Sequence, residues 1–81
     1  MKRVRVKSSA IASAAYEDLS LFVEFVGGKW YKYVSVPETI FERLLAAPSK
    51  GNFFNRFIKP VYREVPLTNQ ELETVHRTCP Q

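Results

Sequence analysis

Gly27-Gly28 separates two runs that alternate apolar and polar residues, Leu19-Ser20-Leu21-Phe22-Val23-Glu24-Phe25-Val26 before it and Lys29-Trp30-Tyr31-Lys32-Tyr33-Val34-Ser35 after it. Period-two alternation in β-prone residues around a glycine pair predicts an antiparallel hairpin, and the length of its turn decides which side chains share a face. A two-residue turn pairs Val26 with Lys29 and sets Tyr31 and Tyr33 on the face away from Leu21, Val23 and Phe25. A three-residue turn with Gly28 in the left-handed region, forming a G1 bulge, pairs Phe25 with Lys29 and Val23 with Tyr31. The second register gathers Leu21, Val23, Phe25, Tyr31 and Tyr33 into one apolar face and leaves Phe22, Glu24, Trp30, Lys32 and Val34 on a mixed one. Burial of the larger coherent face favours the bulged hairpin.

The remaining punctuation places strands first and helices afterwards, the α+β order. Val4 and Val6 alternate with Arg3, Arg5 and Lys7 as an edge strand guarded by charge would, and Ser8-Ser9 ends the pattern. Residues 11–17 read as a second strand that closes on a polar turn at Glu17-Asp18. The expectation is a small antiparallel meander of three to four strands (about 3–7, 11–17, 19–26 and 29–35) with two helices packed on one face (about 36–47 and 49–58). Ser35-Val36-Pro37-Glu38 reads as a capping box for the first helix, whose stripe is Ile40, Phe41, Leu44 and Leu45. Pro48 ends it, Ser49 caps the next helix, and Phe53, Phe54, Phe57 and Ile58 form that helix's apolar stripe before Pro60. Residues 1–64 then make one domain, and residues 65–81 a C-terminal tail or short helix. Leu67-Thr68-Asn69-Gln70-Glu71-Leu72 supplies a cap, a reciprocal glutamate and a staple for a helix over 69–77 that has only Leu72 and Val75 to bury.

At 81 residues the chain holds one small core, and its lone cysteine, Cys79, can form no internal crosslink and points to a reducing compartment. No apolar run approaches the roughly 18 residues of a membrane span, and the start Met1-Lys2-Arg3-Val4-Arg5-Val6-Lys7 leads into small polar residues instead of a signal-peptide core. A cytoplasmic protein with no membrane partner is expected. The formal charge is +4, with Lys2, Arg3, Arg5 and Lys7 crowded at the start and Lys50, Arg56, Lys59 and Arg63 in a stretch without an acid. Clustered cations of this kind suit RNA or another anionic partner, and they also serve solubility.

The start of the Ser49 helix carries the best local chemistry: unpaired backbone N–H groups, the small Gly51, the Ser49 hydroxyl and the Lys50 ammonium, with Asn55 and Arg56 one turn on. In the bulged register Tyr31 and Tyr33 are core, while Trp30 and Phe22, beside Lys32, are the exposed aromatics available for stacking on bases. His76 and Cys79 lack a third group to orient the histidine, and together they fall short of a zinc site, so neither a catalytic centre nor a metal or other cofactor is expected.

Val6-x-Ser8-Ser9-x-Ile11, Tyr16, Leu21-x-Val23-x-Phe25, Gly28, Tyr31-x-Tyr33, Val36-Pro37 and Phe41-x-x-Leu44-Leu45-x-Ala47-x-Ser49-x-Gly51-x-Phe53-Phe54-Asn55-x-x-Ile58 resemble the KTSC domain over about residues 6–62. That small domain occurs at the C-terminus of some lysyl-tRNA synthetases and alone in short bacterial and phage proteins. The resemblance brings no established activity, and its link to a synthetase implies RNA. The leading expectation is therefore a non-catalytic module that binds RNA or a single-stranded nucleic acid through Ser49, Lys50, Gly51, Asn55, Arg56, Lys59 and Arg63, with Lys32 and Trp30 at the hairpin edge. The alternative is a protein-interaction or homo-oligomeric module in which Trp30, Phe22 and Phe57 form an apolar patch.

Overall fold

The computed structural model describes all residues, Met1 to Gln81. Four strands come first, β1 (Lys2–Arg5), β2 (Ile11–Glu17), β3 (Ser20–Phe25) and β4 (Trp30–Val34), followed by helix α1 (Glu38–Ala46). Helix α2 (Lys50–Phe53) runs into a π-helical turn (Phe54–Ile58), and β5 (Arg63–Val65) and α3 (Asn69–Arg77) complete the chain. The strands form one antiparallel sheet in chain order, so the fold is α+β with five strands, β5 being additional to the meander that alternation predicts. No helix is long and apolar enough to cross a membrane.

The β3–β4 hairpin has the bulged register. Leu21 lies opposite Tyr33 and Val23 opposite Tyr31, while the Phe25 N–H donates to the Lys29 carbonyl at 2.8 Å and the Gly28 N–H to the Phe25 carbonyl at 2.9 Å. Both glycines take positive φ, +110° at Gly27 and +97° at Gly28. The β2–β3 turn solves the same problem without glycine: Asp18 and Leu19 both have positive φ, 48° and 63°, between the paired Glu17 and Ser20. Leu19 thus belongs to a tight turn and not to the strand, and its side chain is exposed.

Leu21, Val23 and Tyr33 join Ile11, Tyr16, Val36, Phe41, Leu44, Phe54 and Ile58 in the main core, under α1 and the α2 segment. The expected capping box at Ser35 is absent. Ser35 turns the chain with φ +57°, Pro37 is the N-cap and offers no side-chain bond, and Val36 is driven into the core. There the Val36 N–H donates to the Leu19 carbonyl and its own carbonyl accepts the Tyr16 hydroxyl. That buried backbone pairing overrides the local preference for a serine cap.

The second face is where the structure departs most from expectation. Helix α3 packs on the face opposite α1 and α2, with Val75 fully buried against Ala15 and Phe22 and flanked by Met1, Trp30 and Leu67. Phe22 is 2% exposed and is not a surface aromatic. Arg3 ties this face together. Its guanidinium donates to the Val75 and Thr78 carbonyls at the end of α3 (both 2.9 Å), to Ser13 Oγ (3.3 Å) and to the Glu24 carboxylate (3.2 Å), and it lies 5.2 Å over the Trp30 ring. At the other end Thr68 and Glu71 form the expected capping box, and Lys32 donates to Glu71. Gln81 pairs with β1 through both its N–H and its carbonyl, covering part of an edge that charge alone was expected to guard.

Burial pushes the Glu71 carboxyl up, but the Lys32 ammonium and the Thr68 backbone N–H outweigh it, leaving the pKa below the ordinary 4.5. A depressed carboxyl contributes stability that is complete above its unfolded-state value and lost as pH falls through its folded one. Trp30, the single tryptophan, lies under α3 and reports on docking. Its emission is expected to shift red as pH falls below the ordinary carboxyl value, with Glu71→Gln weakening docking at neutral pH and flattening that response. The two hairpins predict opposite signs. A Cβ at Gly28 meets nothing within 4 Å, so Gly28→Ala isolates backbone strain and is expected to destabilise by about 1 kcal/mol in urea denaturation. Leu19→Gly, which relieves a left-handed leucine, is expected to stabilise by roughly 0.5–1 kcal/mol.

Candidate functional site

The Ser49 helix start lies against the β1–β2 loop. The position a Cβ would take on Gly51 is 3.6 Å from Ala10 Cβ, an ordinary contact distance that places residues 8–10 beside α2. Between them runs a groove of about 340 Å³ whose polar lining comes from Lys7, Ser8, Ser9, Ser49, Lys50, Asn52 and Asn55, with no acid. Its hydrogen-bonding capacity is lopsided. Ser8 Oγ already accepts the Ala10 and Ile11 N–H groups, and Ser49 Oγ accepts that of Asn52 at 3.4 Å. Lys50 spends one of its three N–H donors on the Ala47 carbonyl at 2.8 Å. Ser8 Oγ and Ser49 Oγ are thus engaged as acceptors, while hydroxyl, ammonium and amide donors remain and no carboxylate opposes them, a set that suits an acceptor-rich anion.

Asn55 also borders a second cleft, about 410 Å³, between the hairpin and the π-helical turn. Phe25, Tyr31, Tyr33 and Phe54 form its aromatic wall, and Lys29, Lys59 and Glu64 add charge. The rings meet edge to face, with centroids 5.2 Å apart for Phe25 and Phe54, 5.3 Å for Phe25 and Tyr31, and 5.4 Å for Tyr33 and Phe54. Burial first, and then the neighbouring Glu64 carboxylate, pushes the Tyr33 hydroxyl up to about 12, so it stays protonated at neutral pH. The π-helical turn, closed by the Lys59 N–H on the Phe54 carbonyl, buries Phe54 and Ile58 while leaving Asn55 and Lys59 beside the cleft.

Of the expected site residues, Ser49, Lys50, Gly51 and Asn55 come together in the groove, and Lys59 joins Asn55 at the cleft. Arg56 is exposed with its guanidinium 5.6 Å over the Phe57 ring, and it lines neither cavity. Arg63 lies opposite Val34 while Glu64 lies opposite Tyr33, so strand alternation aims Arg63 at the α3 face. Lys32 and Trp30 are on that face too, one paired with Glu71 and the other beneath Arg3, with the His76 ring 6.4 Å away. They do not belong with the groove, because α3 covers the surface they were expected to present. The expected apolar patch is likewise not assembled, since Phe22 is buried while Phe57 is 49% exposed elsewhere. Lys7, Ser8, Ser9, Lys29 and Glu64 are the lining residues that local patterns do not reveal. The hints were Lys7, within the basic cluster at the start of the chain, and Ser8-Ser9, conspicuous as a strand break.

A family model described as the KTSC domain matches residues 7–62, which include every residue of the groove. A protein of Tsukamurella paurometabola is 45% identical over 64 residues, covering 76% of this chain and 96% of that relative. The lysine–tRNA ligase of Nostoc punctiforme is 39% identical over 62 residues, covering 74% of this chain but only 11% of the ligase. The crystal structure of a KTSC domain protein from Yersinia pestis superposes with a TM-score of 0.76 at 32% identity, over 83% of this chain and 97% of that one. With family model, relatives and fold in agreement, the chain belongs to the KTSC domain family.

Proposed function

We propose that this domain is a non-catalytic module that binds RNA or another single-stranded nucleic acid, with the groove between the β1–β2 loop and α2 as its contact to phosphates. The observation that carries this reading is the groove's composition: lysines from two separate elements, free hydroxyl and amide donors, and no carboxylate. Ionised phosphate oxygens are acceptors only, so a lining of ammonium, hydroxyl and amide donors without a carboxylate complements them. Family membership assigns no reaction. The occurrence of a similar segment within a lysine–tRNA ligase, an enzyme named for a tRNA product, supports RNA as the partner class and a cytoplasmic setting.

Anisotropy titrations with short single-stranded RNA and DNA at low salt test the reading. Binding is expected to weaken steeply as salt rises, with log K falling by about 0.7 per phosphate contact for each unit of log salt. Lys7→Ala with Lys50→Ala is expected to lower both affinity and that slope, the slope by roughly 1.4. Absence of binding at low salt, or an unchanged slope in the double variant, would sink the idea.

A further inference from the structure

We infer that the aromatic cleft beside Asn55 receives one unpaired nucleobase of the strand whose phosphates lie in the adjoining groove, and that Glu64 selects bases carrying an exocyclic amine. The inference rests on the nucleic-acid reading of the groove and names what that strand inserts next to it. Asn55 lines both cavities, so a chain leaving the phosphate groove meets the cleft without crossing other surface. At about 410 Å³ the cleft falls within the range of roughly 300–1,000 Å³ typical of ligand sites. Its walls are π faces and edges: Phe25 and Tyr31 are half-buried, with Tyr33 and Phe54 buried behind them. Aromatic side chains of this kind hold unstacked bases.

The charges agree with this arrangement. Lys29 and Lys59, both exposed and neither in an ion pair, border the cleft from the hairpin and from the helix, where phosphates flanking an inserted base would pass. Glu64 is the one acid in the lining and would repel a phosphate, so its place is against a group that donates. Tyr33 lies opposite it on the paired strand, and a carboxylate offers lone pairs to an amine. A carboxylate accepts from the cytosine N4 amine, and an asparagine amide can pair with the adenine edge, whereas uracil offers no amine at all. Two lysines, a carboxylate and aromatic walls around one cleft match one nucleotide better than an apolar peptide side chain, which would leave both lysines and Glu64 unused.

The test uses the whole chain and four octamers: rA8, rC8, rU8 and an abasic sugar-phosphate strand of the same length. The abasic strand is expected to bind with the same salt slope as the others but roughly 5- to 150-fold more weakly than rA8 or rC8, the equivalent of one stacked base. Tyr31→Ala is expected to lower rA8 and rC8 binding into that range and leave the abasic strand unaffected, while Tyr31→Phe retains affinity. Glu64→Gln is expected to narrow the gap between rC8 and rU8, two pyrimidines of similar stacking strength. Equal affinity for rC8 and the abasic strand on the unaltered protein would overturn base insertion while leaving phosphate binding in place. An undiminished preference for rC8 over rU8 in Glu64→Gln would overturn the selectivity. Failure of all four strands to bind would overturn both the insertion and the reading beneath it.

Discussion

The register of the β3–β4 hairpin is the constraint on which the rest of the molecule depends. A slip of one residue would move Tyr31 and Tyr33 to the face away from Leu21, Val23 and Phe25 and bring Trp30 and Lys32 in their place. The three-residue turn with two positive-φ glycines holds Val23 opposite Tyr31 and Leu21 opposite Tyr33, and so builds the apolar floor on which α1, α2 and the π-helical turn pack. It also commits Phe22 and Trp30 to the other face. Burying a side chain as large as Phe22 contributes roughly 1.5–3 kcal/mol, so a second face that carries it needs a cover, and α3 provides one.

That cover is held by polar geometry more than by apolar area. Val75 is the only residue of α3 that is fully buried, whereas Arg3 reaches two carbonyls at its C-terminal end and Lys32 pairs with Glu71 at its start. Arg3, Ser13 and Glu24 form a connected set in which Ser13 Oγ donates to the carboxylate at 2.7 Å while accepting from the guanidinium. Such a set adds little net stability over a well-packed apolar substitute, but deleting one member strands the others, which is why Arg3 fixes how α3 sits. The cover is not fully satisfied: the Trp30 indole N–H is buried without a hydrogen-bond partner, at a cost of about 1–3 kcal/mol. The unpartnered indole N–H makes the second face the less completely satisfied side of the domain.

Much of this was legible in the chain because it is written in local chemistry. Alternation and a glycine pair specify β3 and β4 and their register, Ser49 specifies the start of α2, and Thr68 with Glu71 specifies α3. The illegible parts are those decided by partners distant in sequence. Arg63-Glu64-Val65 becomes a strand only because β4 offers it an edge, and three residues carry no alternation worth reading. Lys32 and Trp30 read as free in the sequence until α3 closes over them, Glu71, 39 residues after Lys32, taking the ammonium and Val75 packing in the cluster that holds Trp30. The Ser35 motif fits a capping box, yet core insertion of Val36 and its bond from Tyr16 decide the geometry. The groove was half visible for the same reason: its α2 wall has a local signature, while Lys7, Ser8 and Ser9 enter it only through tertiary packing at Gly51 and Ala10.

The boundary of the family match divides the two cavities in a way that bears on what each can do. Residues 7–62 contain the whole of the lysine-lined groove and all but one of the residues around the aromatic cleft. The exception is Glu64, which β5 places beside Tyr33 from outside the matched span. A groove of lysines and hydroxyls recognises charge, and charge recognition carries no sequence preference. A single carboxylate in an otherwise aromatic cleft is the kind of group that does discriminate, because it favours one arrangement of donors and opposes every anion. On the proposed reading, the part that recognises charge falls within the span the family model matches, and the selective carboxylate falls just beyond it. The same short segment that completes the sheet edge also sets the chemistry of the cleft.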